Sequence, residues 1–523
     1  MNYADLFRVT LPETALELAA LVVLVVDLAF LRKAALKVRV TVAALLGVAG
    51  CGAALWALQF QGKEIHLFPE SLNSALLLTG TYVQVAQTGI LVLTALTLLL
   101  LIDSDFTRHV GEFVAVVLMA ATGGLLICGA MDLLVIFVGL ELLSLGLYIM
   151  TAFTKSSGKS AEAAMKYYLF GGMSAAFLLF GFSYFYGLTG STNLSDIQLA
   201  LADSGPNPLF YVAWILVVAG LGFKIAAVPF HLWAPDTYEG APAPAAAFIA
   251  SVSKVASFTL LLTILQIWMT YQAEFGYSKH LADKLRIHSD QTWLPLAMIL
   301  LIVAAASMVF GNLAALAQVS VRRLLAYSAI AHAGYILLGV AVFRMHTGNE
   351  TDSFYELHQM VVSEKAVLYY ILTYGLTIIG AFSVVSVVER ATGSDRLDSF
   401  LGLHKRNPLL AAVLLVLFLS LAGIPPLVGF WAKFNLFAAV LGVSAGPVPF
   451  ALVTLAIVLS VVSLYYYLQV LKRAYVMPAI DETPINVHPV TLAVHLFITM
   501  IVVLLGCFPA LLQGWIERFY PVM

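Results

Sequence analysis

About fourteen stretches of this chain are apolar over roughly 17 to 25 residues, the length that carries a helix across a hydrocarbon layer. They fall near residues 11-31, 40-60, 75-102, 112-129, 131-153, 166-189, 208-229, 245-270, 293-311, 322-343, 366-388, 408-440, 450-471 and 490-513. Lipid offers no partner to a backbone amide, so a chain built this way folds as helices that satisfy their own hydrogen bonds. The charged fraction of 11% confirms the class, because soluble domains carry about 25%. An all-α polytopic membrane protein is expected, with the bilayer as its solvent and no nucleic-acid surface. The net charge of -2 carries no message of its own. What matters is where the basic residues fall.

The N-terminus has no basic region or small-residue cleavage site, so the first apolar run reads as a retained helix. With that end placed outside, the inner loops hold sixteen lysines and arginines and the outer side eight. The positive-inside rule then puts both termini on the outer face, periplasmic if the membrane is a bacterial inner membrane.

Three lysines lie within the apolar spans, where an ionisable group is expensive and reads as functional. Lys224 ends a run from Leu209 that holds no other charge, and Pro229 then removes a backbone donor and breaks the seventh span beside it. Pro235, Pro242 and Pro244 keep the next residues irregular, and helix resumes near Ala245 to carry Lys254 two to three turns into the eighth span. A second break falls at Pro425 and Pro426 in the twelfth span, with Lys433 two turns beyond it. Irregular backbone at membrane depth is tolerated inside protein or against water, which is how an ion path is built.

Two broken spans five helices apart suggest a five-helix unit used twice, inverted because the spacing is odd. The expected division is residues 1-111 for helices 1-3, 112-270 for the first repeat, 271-471 for the second and 472-523 for the last helix. This repeat rests on topology and on the breaks. The stretches from Tyr271 to Gln291 and from Met345 to Lys365 read as long loops.

Glu141 is a carboxylate deep in the fifth span and needs a partner inside, with Lys224 the natural candidate. Asp132 sits near that span's end, where it can face headgroups. His231 follows the seventh-span break, and His332 lies mid-span beside Ser328 and Tyr335. Cys51, Cys128 and Cys507 occupy separate apolar runs and read as packing residues, as do Gly171 and Gly172. No cysteine cluster or glycine-rich nucleotide loop is present, so neither a metal site nor a redox cofactor is expected in this chain.

The run PFHLWAPDTYEGAPAP followed by SVSKVASF closely resembles the N subunit of bacterial respiratory complex I, the proton-pumping NADH:quinone oxidoreductase, similar to mitochondrial subunit 2. The resemblance covers most of the chain, and the PD-x-YEGAP form with Lys254 downstream separates this subunit from its antiporter-like relatives. A glutamate at the position of Lys433 would point to the M subunit, and two further helices with a lateral arm to the L subunit.

The resemblance implies two half-channels, with Glu141 and Lys224 as a regulating pair, Lys254 as central carrier and Lys433 as the exit-side group. His332 and His231 would serve as relays. It also implies a place among membrane-arm subunits, especially K and M, in a complex whose FMN, iron-sulfur clusters and quinone are held elsewhere. Other classes stay open at this stage: a subunit of a multi-subunit cation/proton antiporter, or a scaffold that pumps nothing.

Overall fold

A computed structural model describes residues 7–61, 76–204, 207–274, 279–341, 353–443, 446–479 and 481–520. Its helices are α1 (Leu11–Val25), α2 (Leu36–Ala57), α3 (Thr81–Leu101), α4 (Val110–Gly129), α5 (Leu133–Thr151), α6 (Gly158–Thr189) and α7 (Leu194–Ser204). They continue as α8 (Pro208–Ile225), α9 (Trp233–Gly240), α10 (Ala243–Ala250), α11 (Val252–Glu274), α12 (Lys279–Leu316) and α13 (Val321–Ala341). Apart from a single turn at Leu403–Arg406, the remainder are α14 (Ser353–Thr392), α15 (Pro408–Ala422), α16 (Val428–Val443), α17 (Pro447–Tyr475), α18 (Pro489–Cys507) and α19 (Ala510–Glu517). No strand occurs among the described residues beyond isolated bridges.

Twelve helical segments are long and apolar enough to span on their own. The first pass is completed by α1 running into a π-helical turn at Val26–Phe30, and the twelfth by the two shorter helices α15 and α16. Fourteen passes result, with helices 7 and 12 discontinuous. Contacts between loops sort them into two faces. Arg390 pairs with Asp103 at 2.6 Å, Arg322 with Glu389 at 3.3 Å and Arg473 with Asp398 at 3.8 Å, all on the face assigned as inner. On the other face, the Leu78 amide donates to Gly129 O and Leu133 to Thr192 O.

The two broken spans are built alike. Each begins Asn-Pro-Leu, with the asparagine side chain of Asn207 or Asn407 capping the first turn and proline at the first helical position. Each ends in a left-handed residue, Ala226 at φ 59 and Gly423 at φ 86. The next amide then reaches back five residues, Ala227 to Gly222 and Ile424 to Leu419, which closes the helix end in the same way twice. This shared start and stop is residue-level evidence for a repeat.

Four readings of the chain change. The eighth span is itself interrupted at Ser251, so Lys254 begins a new helix, α11, instead of lying well inside one. The stretch 271-291 is mostly helix, because α11 reaches Glu274 and α12 starts at Lys279. Of the stretch 345-365, residues 345–352 lie outside the described residues and the rest is the start of α14. Asp132 does not face headgroups: it is buried as the N-cap of α5, accepting from the Leu134 amide at 2.8 Å and from Thr192 Oγ1 at 2.6 Å.

Small residues let neighbouring helices close in. At Gly334 of α13 a Cβ would stand 2.7 Å from Ala304 O of α12. Gly171 lies under the Tyr148 hydroxyl in the same way, whereas Gly172 has open space around it.

Candidate functional site

The seventh-span break leaves α8 ending one residue after Lys224, which is buried. Its Nζ donates to Ser144 Oγ on α5 at 2.5 Å, and Ser144 in turn donates to Leu140 O. Glu141 is on the same helix, three residues before Ser144, and lies within Coulombic reach of Lys224. No ion pair within 4 Å joins them among the described residues. Glu141 is only half-buried. The lysine therefore rests on a neutral hydroxyl.

Lys254 owes its place to the Ser251 interruption, which turns the start of α11 toward α13. Its Nζ donates to Ala329 O at 2.6 Å and stands 5.9 Å from the centre of the Tyr374 ring. A helical carbonyl has a second lone pair, so Ala329 can serve both its own helix and the lysine. Cation–π attraction adds a further contact at a desolvated site.

Lys433, the first helical lysine after the twelfth-span break, folds back onto that break. Its Nζ donates to Ala422 O, at the C-terminal end of α15, at 2.9 Å and to Ser460 Oγ of α17 at 2.7 Å. A helix C-terminus carries partial negative charge and unsatisfied carbonyls, and an ammonium answers both. The broken helix supplies the acceptor that the buried cation needs.

His332 of α13 connects the last two lysines. Its Nδ1 is 2.8 Å from the Tyr370 hydroxyl, its ring is 4.8 Å from that of Tyr374, and it feels the charge of both Lys254 and Lys433. Tyr335, one turn further, edges toward His332 and stands under Lys433 Nζ at 5.4 Å. Tyr335 is held by Asn312, which also accepts from Tyr466, and Tyr467 pairs with Ser328. His231 is buried in the seventh-span break, its ring 4.6 Å from that of Phe310 and bonded to no side chain of the row. It stands apart from this row.

The transmembrane family described as NADH:quinone oxidoreductase/Mrp antiporter matches residues 130–278 and 285–462, which include Glu141, Lys224, Lys254, His332 and Lys433. The NADH-quinone oxidoreductase subunit N 2 of Acidobacterium capsulatum is 47% identical over 527 residues, covering 99% of this chain and 99% of that one. The chain belongs to this subunit N family. A chain in the structure of respiratory complex I from Thermus thermophilus is 32% identical, with a TM-score of 0.73 over 96% of this chain and 98% of that one. A chain of the membrane-bound sulfane sulfur reductase, an archaeal respiratory membrane complex, has a TM-score of 0.78 at 22% identity over 99% and 97% of the two chains, and shares the fold alone.

As a member of the subunit N family, the chain is a membrane subunit of a translocase, the NADH-quinone oxidoreductase complex. Its described residues include no group of three histidine, cysteine or acidic side chains placed to hold a metal. Of the tyrosines around His332, Tyr335 was legible in the sequence and those on α14 and α17 went unread. Their signal was Tyr370 and Tyr374, four residues apart and so on one face of a span. A buried tyrosine hydroxyl asks for a polar neighbour.

Proposed function

We propose that the chain carries protons across the bacterial inner membrane within complex I, along a row formed by Glu141, Lys224, Lys254, His332 and Lys433. The observation that carries this reading is that all three intramembrane lysines are buried at helix breaks and hydrogen-bonded to hydroxyls or carbonyls instead of carboxylates. Neutral acceptors hold an ammonium without locking it, so the amine can lose and regain its proton while its surroundings stay intact. Lys254 is the central carrier and Lys433 the exit-side group.

Moving one charge across 100 mV costs about 2.3 kcal/mol, and one pKa unit is about 1.36 kcal/mol. A carrier must therefore change its proton affinity by roughly two units per 100 mV. Glu141 and Lys224 supply that change through their field on the rest of the row. The half-exposure of Glu141 fits contact with a neighbouring subunit, K or M, through which quinone chemistry elsewhere in the complex could act. FMN, iron-sulfur clusters and quinone are held by further subunits elsewhere in the complex. Residues 112-270 and 271-471 are the two inverted halves, and both termini are periplasmic.

Lys254→Met tests the reading. It removes the titratable amine but keeps an apolar chain of similar length, which is inexpensive at this depth. The complex should assemble and pump fewer protons per electron, measured in inverted membrane vesicles. A wild-type ratio in the assembled variant overturns the proposal.

A further inference from the structure

Near the inner face, α3, α10, α14 and α18 line a half-open cavity of about 30 Å³, whose lining includes Thr97, Asp103, Ser383, Ser386, Arg390 and Thr491. That volume is room for about two waters, each of which needs about 10–15 Å³. The ion pair of Asp103 and Arg390, at 2.6 Å and partly exposed, stands at its mouth.

The wall formed by α18 is unusual for a helix that is otherwise apolar. Thr491, His495 and Thr499 recur every four residues and so share one face. Thr491 is 2% exposed and His495 is 0% exposed. Among the described residues, the Thr491 hydroxyl and His495 Nδ1 have no hydrogen-bond partner, although buried polar groups are nearly always paired with protein or water. His495 Nε2 lies 2.6 Å from the hydroxyl of Ser383, which lines the cavity. On the opposite wall, Ala247 of α10 accepts from Ser251 Oγ at 2.6 Å, and Ser251 is the interruption three residues before Lys254.

We propose that this cavity is an inner-face proton inlet, in which the Ser383–His495 pair collects a proton from cavity water and returns it to water beside Ser251 for transfer to Lys254. Ser383 gives its hydroxyl proton to Nε2 as it takes one from a protonated cavity water, leaving neutral water and an imidazolium; the serine then takes the Nε2 proton back as it gives its own to a neutral water on the Ser251 side, which restores both groups. No net bond is made. The inference rests on Lys254 as a proton carrier.

The test uses the intact complex in vesicles of both orientations. Ser386→Cys should react with a charged thiol reagent from the inner side only and then pump fewer protons per electron, while wild type treated alike keeps its ratio. His495→Ala should lose protons per electron and regain them when imidazole is added on the inner side, a rescue that a purely structural role does not predict. Failure of Ser386→Cys to react, or a wild-type ratio after it reacts, overturns the inlet. So does an assembled His495→Ala complex with a wild-type ratio. If His495→Ala does not assemble, the labelling result decides. Should Lys254→Met lose pumping while both inlet variants keep it, the inlet falls and the lysine row stands. Should Lys254→Met pump normally, the lysine row falls and the inlet with it.

Discussion

Each buried lysine is positioned by a different local device: a hydroxyl for Lys224, a helical carbonyl for Lys254 and a helix C-terminus for Lys433. The lysines themselves were legible in the sequence because a charge in an apolar run has no other easy explanation. Their acceptors were not, because Ser144, Ala329 and Ser460 are 80, 75 and 27 residues away along the chain. Spacing along one helix cannot report a contact between two. Gly423 illustrates how tight these sites are. It adopts φ 86, and a Cβ there would stand 2.9 Å from Lys433 Cδ. Gly423→Ala should therefore cost about 1–2 kcal/mol for the left-handed backbone alone. It should also lower the thermal inactivation midpoint of the purified complex, and an unchanged midpoint contradicts this account of the twelfth-span break.

At the scale of the element, prolines announced the breaks in spans 7 and 12, since a missing donor is visible in sequence. The Ser251 interruption carried no such mark. Its hydroxyl bonds back to Ala247 O, a habit of serine that bends helices without any proline. The PDTYEGAP motif was legible as a signature but not as a mechanism. Its α9 turn is a clasp: Asp236 accepts from Lys166 at 2.7 Å and from Arg323 at 2.6 Å, and Glu239 from Arg323 at 3.0 Å. Burial pushes the Asp236 carboxyl up, but the Lys166 and Arg323 hydrogen bonds outweigh it and hold the group below its ordinary 3.8. A carboxyl depressed on folding stabilises the fold fully above the unfolded value and loses that contribution as pH falls through the folded one. Asp236→Asn should thus lower the thermal midpoint equally at about pH 5 and pH 8. A loss confined to the higher pH would show that the carboxyl already titrates above its ordinary range.

For the whole molecule, composition and the run of apolar segments were enough to establish fourteen passes, while the packing order of the helices had to come from the structure. α14 packs against α3, α11 and α16, and the contact with α3 joins residues more than two hundred positions apart, which no periodicity encodes. The basic-loop count assigns the face, and the loop contacts show which segments share it. A cysteine placed in residues 393-407 should react with an impermeant reagent only from the cytoplasmic side. Labelling from the periplasm would reverse the topology and exchange inlet for exit.

The central claim is that Lys254 works by losing its proton, and Lys254→Arg tests it most directly. Guanidinium keeps its proton at any accessible pH, while its size and charge preserve much of the site. The protons moved per electron by the assembled Lys254→Arg complex, compared with wild type in the same vesicles, are the measurement. A ratio nearly as low as that of Lys254→Met is predicted, and a wild-type ratio would contradict deprotonation of this lysine as the working step.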